Sequence, residues 1–285
     1  MELGELFDRG FRVWKENVRV GVLFLAGSIL SWIPIILFAV YLLSIIGIGA
    51  VWMAIESHSG EEVLSVLKMY AIPIVSVLIV AFIISGIIYL FFELAAFRAC
   101  SLAIDGRMGL GEAMSFAKRR LLTMISAEVL KTLIIVAPFA LTILGFLSPV
   151  LAFIVWPAAA IASIVLAILL VYVPYAVAEG YGAVESVKAS YSVARRGFME
   201  TIVIIVVVFL INMACNMVGE LSFYMYGPGF YYSHSLQLLL LPVGLTALIS
   251  IVLSCFIARP LGAMFYLLYF RSNVNNVENE TSELL

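Results

Sequence analysis

Charge is what this sequence has least of. Asp, Glu, Lys and Arg make up 12% of its 285 residues, about half the share of an ordinary soluble domain. With 64% of residues hydrophobic and a mean hydropathy of +1.16, a water-soluble fold would expose large apolar patches. Histidine is nearly missing. His58 and His234 are the only two, and neither stands in an HxxxH or HExxH spacing, so nothing supports a metal centre. The same scarcity leaves no nucleophile–base pair of the Ser-His-Asp kind. No GxxxxGK[ST] loop occurs, which argues against ATP-driven work by this chain alone. The three cysteines, Cys100, Cys215 and Cys255, lie far apart in apolar runs with no CxxC. They read as small buried apolar residues rather than a disulfide framework. A net charge of −2 supplies no basic surface for a nucleic acid. No cofactor motif is present, and no cofactor is expected.

What the sequence does have is long apolar runs. A membrane helix needs about 20 mostly apolar residues, and six runs of that kind are read at 20–55, 63–102, 121–147, 150–177, 198–218 and 236–270. The first is taken as one long span, with Pro34 and Gly47-x-Gly49 as kink points. Pro73 sits near the start of the second. Ser148-Pro149 makes a tight turn between the third and fourth. Pro157 and Pro174 fall in the fourth run, Pro242 and Pro260 in the sixth, where neighbouring helices can satisfy the freed carbonyls. A polar, acidic tail follows from Arg271 and is expected to be disordered. The segment from Met1 to Arg19 carries eight charged residues ahead of a run much longer than a signal h-region, so a cleavable signal is not expected. The expected fold is an all-α integral membrane protein, a six-transmembrane-helix bundle of three helical hairpins.

Lysine and arginine in short loops set orientation. Arg9, Arg12, Lys15, Arg19, Arg107, Lys118, Arg119, Arg120, Lys188, Arg195, Arg196 and Arg271 fall on one side, against Lys68 on the other, a bias of twelve to one. Both termini are therefore expected on the cytoplasmic face of a plasma membrane. The basic connectors can each form a short amphipathic helix ahead of an odd-numbered span. In residues 1–19, Leu3, Phe7, Phe11, Trp14 and Val18 share a face, with Glu5–Arg9 and Asp8–Arg12 as i,i+4 pairs opposite. The second connector runs from Glu112 to Arg120. The third places Val184, Val187, Tyr191, Ala194 and Phe198 on one face. Asp105-Gly106 precedes the second and Glu179-Gly180 the third, which suggests a repeated unit of surface helix plus hairpin.

The N-terminal amphipathic helix, the six spans and the stretch Glu185-Ser186-Val187-Lys188-Ala189-Ser190 resemble a family of uncharacterised prokaryotic six-span membrane proteins. It includes archaeal members and the membrane domain fused ahead of some glycerophosphodiester phosphodiesterases. The resemblance covers nearly the whole chain and implies a fold and a prokaryotic plasma membrane. No phosphodiesterase domain is present, so it transfers neither an activity nor a site residue.

Ionisable residues inside apolar runs are the main candidates for function, because each costs about 2.5–3.5 kcal/mol at a bilayer centre. They are Glu93, Arg98, Glu128, Lys131, Glu179 and Arg259. All six are read into the cytoplasmic half, acids facing bases, with Glu128 and Lys131 close enough to pair at i,i+3. Four readings are open: an interhelical ion-pair network with snorkelling, a polar cavity for a lipid headgroup or small anion, a transport path, or catalysis. In the last outer loop, Phe223 to Tyr232 is rich in aromatics around Gly227-Pro228-Gly229, which suggests an interfacial belt broken by a turn. The expected function is non-enzymatic, with membrane lipids and another membrane protein as candidate partners. The alternative is a transporter of small solutes, ions or lipids.

Overall fold

The computed structural model describes residues 2–46, 60–230 and 246–283. His58, His234, Pro242 and the Gly47-x-Gly49 pair lie outside them. The described residues are helical apart from short turns and connections, with no strand among them. Six helical segments are long and apolar enough to span a membrane: Val18–Leu42, Val75–Ile104, Leu110–Ile143, Val150–Ala178, Phe198–Met217 and Thr246–Val274. The protein is thus an all-α, multi-pass membrane bundle, as the apolar runs require. By compactness the chain divides into Ala26–Phe92 on one hand and Met1–Leu25 with Glu93–Leu285 on the other. The larger unit holds the candidate site described below.

Several boundaries depart from the sequence reading. The first span breaks at Ser31-Trp32, between helices Gly21–Leu30 and Ile33–Ile46; Pro34 follows in the first turn of the second piece, where its missing N–H costs nothing. The second span continues a single helix, Gly60–Ile104, that passes through Pro73. The third starts earlier than expected, because connector and span form one helix, Leu110–Val136. No Pro or Gly falls between Gly111 and Gly145 except Pro138, and there the helix tightens into a 3₁₀ segment, Ala137–Leu147. The fifth extends to Phe230. Pro228 then stands two residues from the helix end, so the break it forces falls at the terminus instead of making the expected loop. The tail expected to be disordered continues the sixth span as helix Arg259–Glu283, since no Pro or Gly interrupts it after Gly262.

The sixth span is the core. Half of its most apolar window is buried, against 11–22% in the other five. Leu261, Met264, Phe265, Leu267 and Phe270 are all but fully enclosed. The N-terminal helix, Leu3–Glu16, lies against it. Its buried strip is Leu6 and Gly10, and a Cβ at Gly10 would fall 2.5 Å from the Phe265 ring. Phe7 meets the same ring edge-on at 4.9 Å. Of the two expected polar-face pairs, Asp8–Arg12 is formed, with Arg12 2.6 Å from Asp8.

Prolines interrupt the backbone hydrogen-bond ladder, and at two of these breaks a side chain from another helix supplies the missing bonds. Pro260 has no N–H to offer the carbonyl of Phe256 four residues earlier. The chain there widens into a π-helical segment, Ser254–Ala258, and the Trp14 indole N–H donates to the Phe256 carbonyl at 2.8 Å. The fourth span is interrupted between helices Pro149–Leu169 and Val173–Ala178, the second of which has Pro174 in its first turn. Ser190 crosses from helix Ala183–Arg196 to repair the gap. Its hydroxyl accepts the Tyr172 N–H at 3.1 Å and donates to the Leu169 carbonyl at 2.9 Å. This use of Ser190 sets which face of that helix packs on the bundle. Ser186, Ser190, Val193 and Ala194 are buried, while Val184 and Tyr191 are exposed. Small hydroxyls satisfied by carbonyls pack inside more closely than the larger apolar side chains could.

Replacing Ser190 with Ala is expected to strip two backbone groups of their partner and cost about 1–2 kcal/mol. Ser192→Ala, which removes a local bond to Ala189, is expected to cost less than about 0.5 kcal/mol. Thermal unfolding of the two variants in detergent compares them.

Candidate functional site

The second and fourth spans end in the same way. Gly106 and Gly180 have positive φ, 71° and 105°. At the first end, Arg107 N–H reaches the Leu102 carbonyl and Gly106 N–H reaches that of Ala103. At the second, Tyr181 N–H reaches Ala176 and Gly180 N–H reaches Val177. This is the Schellman closure, which needs a residue tolerant of the left-handed region just past the helix. The acid before each glycine, Asp105 or Glu179, is left at the span end.

Both acids turn to one arginine near the end of the sixth span. Arg271 Nε and Nη2 donate to the two carboxylate oxygens of Glu179 at 2.9 and 3.0 Å. Its Nη1 donates to Asp105 at 2.7 Å. Nη2 also reaches the Ser101 hydroxyl at 2.8 Å. A planar guanidinium is the one cation that can serve two carboxylates on different helices in this forked way. Arg98 extends the cluster. Its Nη1 donates to the Ala178 carbonyl at 3.2 Å and to Ser101 at 3.3 Å, and its guanidinium lies 4.8 Å from the centre of the Phe116 ring. Ala178 is the last residue of helix Val173–Ala178, so Arg98 takes a carbonyl that the helix leaves without an intrahelical donor.

Glu93 and Arg259 lie deeper. Each is twelve residues from the acid or base that ends its span, Asp105 and Arg271, or about 18 Å along a helix at about 1.5 Å per residue. The sequence reading placed both near the span ends. The second and sixth spans run to Ile104 and Val274, only slightly past the apolar runs, so both residues stand about three turns or more from the ends they were read beside. Together they line a partly open cavity of about 120 Å³ with Asn212, Tyr175, Tyr266 and Phe97 among its other walls. Asn212 donates its amide N–H to the Val208 carbonyl at 3.3 Å, which leaves its carbonyl oxygen as an acceptor. Aromatic rings continue from the cavity towards the Arg271 cluster. Phe97 meets Tyr175 at 4.6 Å, Tyr175 stacks on Tyr266 at 5.0 Å, and Tyr266 meets Tyr172 at 5.8 Å. The Tyr172 hydroxyl is 3.2 Å from that of Thr201.

Glu128 and Lys131 pair as their spacing requires, at 3.0 Å with both side chains 23% exposed. They line no part of the cavity. The six charged residues thus fall into three groups: Arg98 and Glu179 at the span ends, Glu93 and Arg259 at the cavity, and Glu128 with Lys131 on the third span. Asp105 and Arg271 complete the first group and were not singled out as site residues, although Asp105-Gly106 and Glu179-Gly180 stood out as a repeat. Asn212 is one of two amides in the fifth apolar run, with Asn216, a signal that was available. Trp14 and Ser190 carried no sign of their tertiary partners. The three cysteines are buried thiols, and among the described residues no group of His, Cys, Asp and Glu could hold a metal.

Arg271→Lys keeps the charge but has no fork. It is expected to cost about 2 kcal/mol through the lost charge-assisted bonds, read as a fall in thermal stability, with Lys131→Arg as a control that keeps its i,i+3 partner and shows little change. No protein-family model matches this chain, and no curated protein or solved structure does.

Proposed function

We propose that this chain is a non-enzymatic integral membrane protein that holds the polar head of a membrane lipid in the cavity between Glu93 and Arg259. The observation that carries this reading is the cavity itself. An acid, a base, an amide and two phenols surround open space deep in an apolar bundle, where polar groups are costly unless they serve each other or a ligand. A volume of about 120 Å³ is far above the roughly 10–15 Å³ that admits one water. The twelve-to-one excess of Lys and Arg supports an orientation with the Arg271 end in the cytoplasm. The N-terminal helix and helix Ala183–Arg196 then lie in the inner headgroup layer, with exposed Phe11, Val184 and Tyr191 available to lipid. A prokaryotic plasma membrane is in keeping with the family resemblance, and a lipid-organising role with the absence of catalytic motifs.

A second reading, a carrier, is favoured by one observation. The fourth span is broken at residues 170–172 and the sixth passes through a π segment next to Arg259, and discontinuous helices beside a mid-membrane site are a feature of transporters. Solute flux through proteoliposomes that falls with Glu93→Gln supports that reading, and flux equal to empty liposomes opposes it.

The expected outcome for lipid binding is a lipid that stays with the purified protein through detergent washing, detected by native mass spectrometry. Ala263→Leu enlarges the cavity wall and is expected to reduce that retention by at least about tenfold, a loss of about 1.4 kcal/mol. Unchanged retention in Ala263→Leu removes the cavity as the site.

A further inference from the structure

We infer that two copies of this chain associate in the membrane through the fifth span, the Asn216 amides of the two copies hydrogen-bonding to each other. The inference does not involve the cavity, which Asn216 does not line. Helix Phe198–Phe230 carries two amides in its apolar stretch, and their settings differ. Asn212 donates to the Val208 carbonyl and faces the cavity. Asn216, one turn further, is exposed, and its amide has no hydrogen-bond partner among the described residues.

Its depth makes that costly. The last charged residue before it is Glu200, sixteen residues earlier, or about 24 Å along the helix at about 1.5 Å per residue. A hydrocarbon layer of about 30 Å therefore still surrounds Asn216, with no water to take its two N–H groups and its carbonyl oxygen. The neighbouring face is equally bare. Met199, Val206, Phe209 and Met213 are exposed. With Ile202 they lead to Asn216 at alternating spacings of three and four residues, the seam along which two helices pack. Lipid covers the apolar members of this seam but gives the amide no partner. A second copy does. An amide is donor and acceptor at once, so it is complementary to itself. Two copies inserted in one orientation, related by a two-fold axis along the membrane normal, bring residues of equal depth together. A polar group at one seam position also fixes register and the number of helices that pair.

The test is association in a bilayer. The full chain is labelled at the amino terminus with a donor or an acceptor dye, and the two batches are reconstituted together into phosphatidylcholine vesicles over a range of protein-to-lipid ratios. Energy transfer is expected to rise with protein density and to vary linearly with the acceptor fraction, as a dimer requires. Asn216→Leu removes the amide at a lipid-facing position. It is expected to raise the dissociation constant at least about fivefold without lowering thermal stability, and Asn216→Gln, which keeps an amide, to change it less. A second arm leaves Asn216 in place. Met213→Cys, one turn away on the seam, is expected to give a disulfide-linked dimer on oxidation, whereas Ile161→Cys, exposed on the fourth span, is not. A chain that stays monomeric at every density overturns the inference and leaves this face to lipid or to a different membrane protein. Transfer unchanged by Asn216→Leu, or cross-linking through Ile161→Cys in place of Met213→Cys, overturns the fifth-span interface.

Discussion

Hydrocarbon offers no hydrogen-bond partner, and the rest of this structure depends on that constraint. A soluble protein can leave a proline-freed carbonyl or a span-end carboxylate to water. Here each must be met from within the bundle. The Phe256 carbonyl, denied a donor by Pro260, is met by Trp14. The gap ahead of Pro174 is closed by Ser190. Asp105 and Glu179 are met by Arg271. In each case the answering group comes from another helix, so local irregularity is converted into tertiary attachment. The N-terminal helix is fixed to the sixth span, helix Ala183–Arg196 to the fourth, and the second and fourth spans to the sixth.

The charged residues divide by depth as well as by partner. At the span ends, Arg271 and Arg98 gather two acids, a hydroxyl and a helix-terminal carbonyl, a set with its charges balanced. That arrangement is structural. About 18 Å further along the helices, Glu93 and Arg259 line a cavity with Asn212 and two tyrosines, and the cavity makes that level the candidate site. The aromatic column through Phe97, Tyr175, Tyr266 and Tyr172 lies between the two levels. It packs rigid rings where flexible aliphatic side chains would let the cavity collapse.

The class of fold was legible because hydropathy averages over about 20 residues and tolerates local error. Six spans, the helical connectors, the Asp8–Arg12 pair and the Glu128–Lys131 pair follow from composition or from spacing along one helix. Span ends were less legible. An apolar run marks where a helix is buried and not where it stops, so the sixth span was closed at Phe270 although the helix continues, and Arg271 was assigned to the loop. The protein-facing side of Ala183–Arg196 was not legible for a related reason. Apolarity favoured Val184 and Tyr191, whereas Ser186 and Ser190 are buried because carbonyls on their own helix and on the fourth span satisfy them. Nothing in a single sequence indicates that partner. The convergence of six charges was likewise read from approximate depth, and only the true helix ends separate the Glu93 level from the Glu179 level.

The most direct measurement of charge answered by charge across helices is a double-mutant cycle on Arg271 and Glu179, followed by reversible unfolding in detergent micelles. If their forked contact fastens the sixth span to the fourth, Arg271→Gln and Glu179→Gln are each destabilising, and the double variant loses less than the sum of the two by at least about 1 kcal/mol. Losses that simply add, within about 0.3–0.5 kcal/mol, contradict the account and leave the span ends held by apolar packing alone.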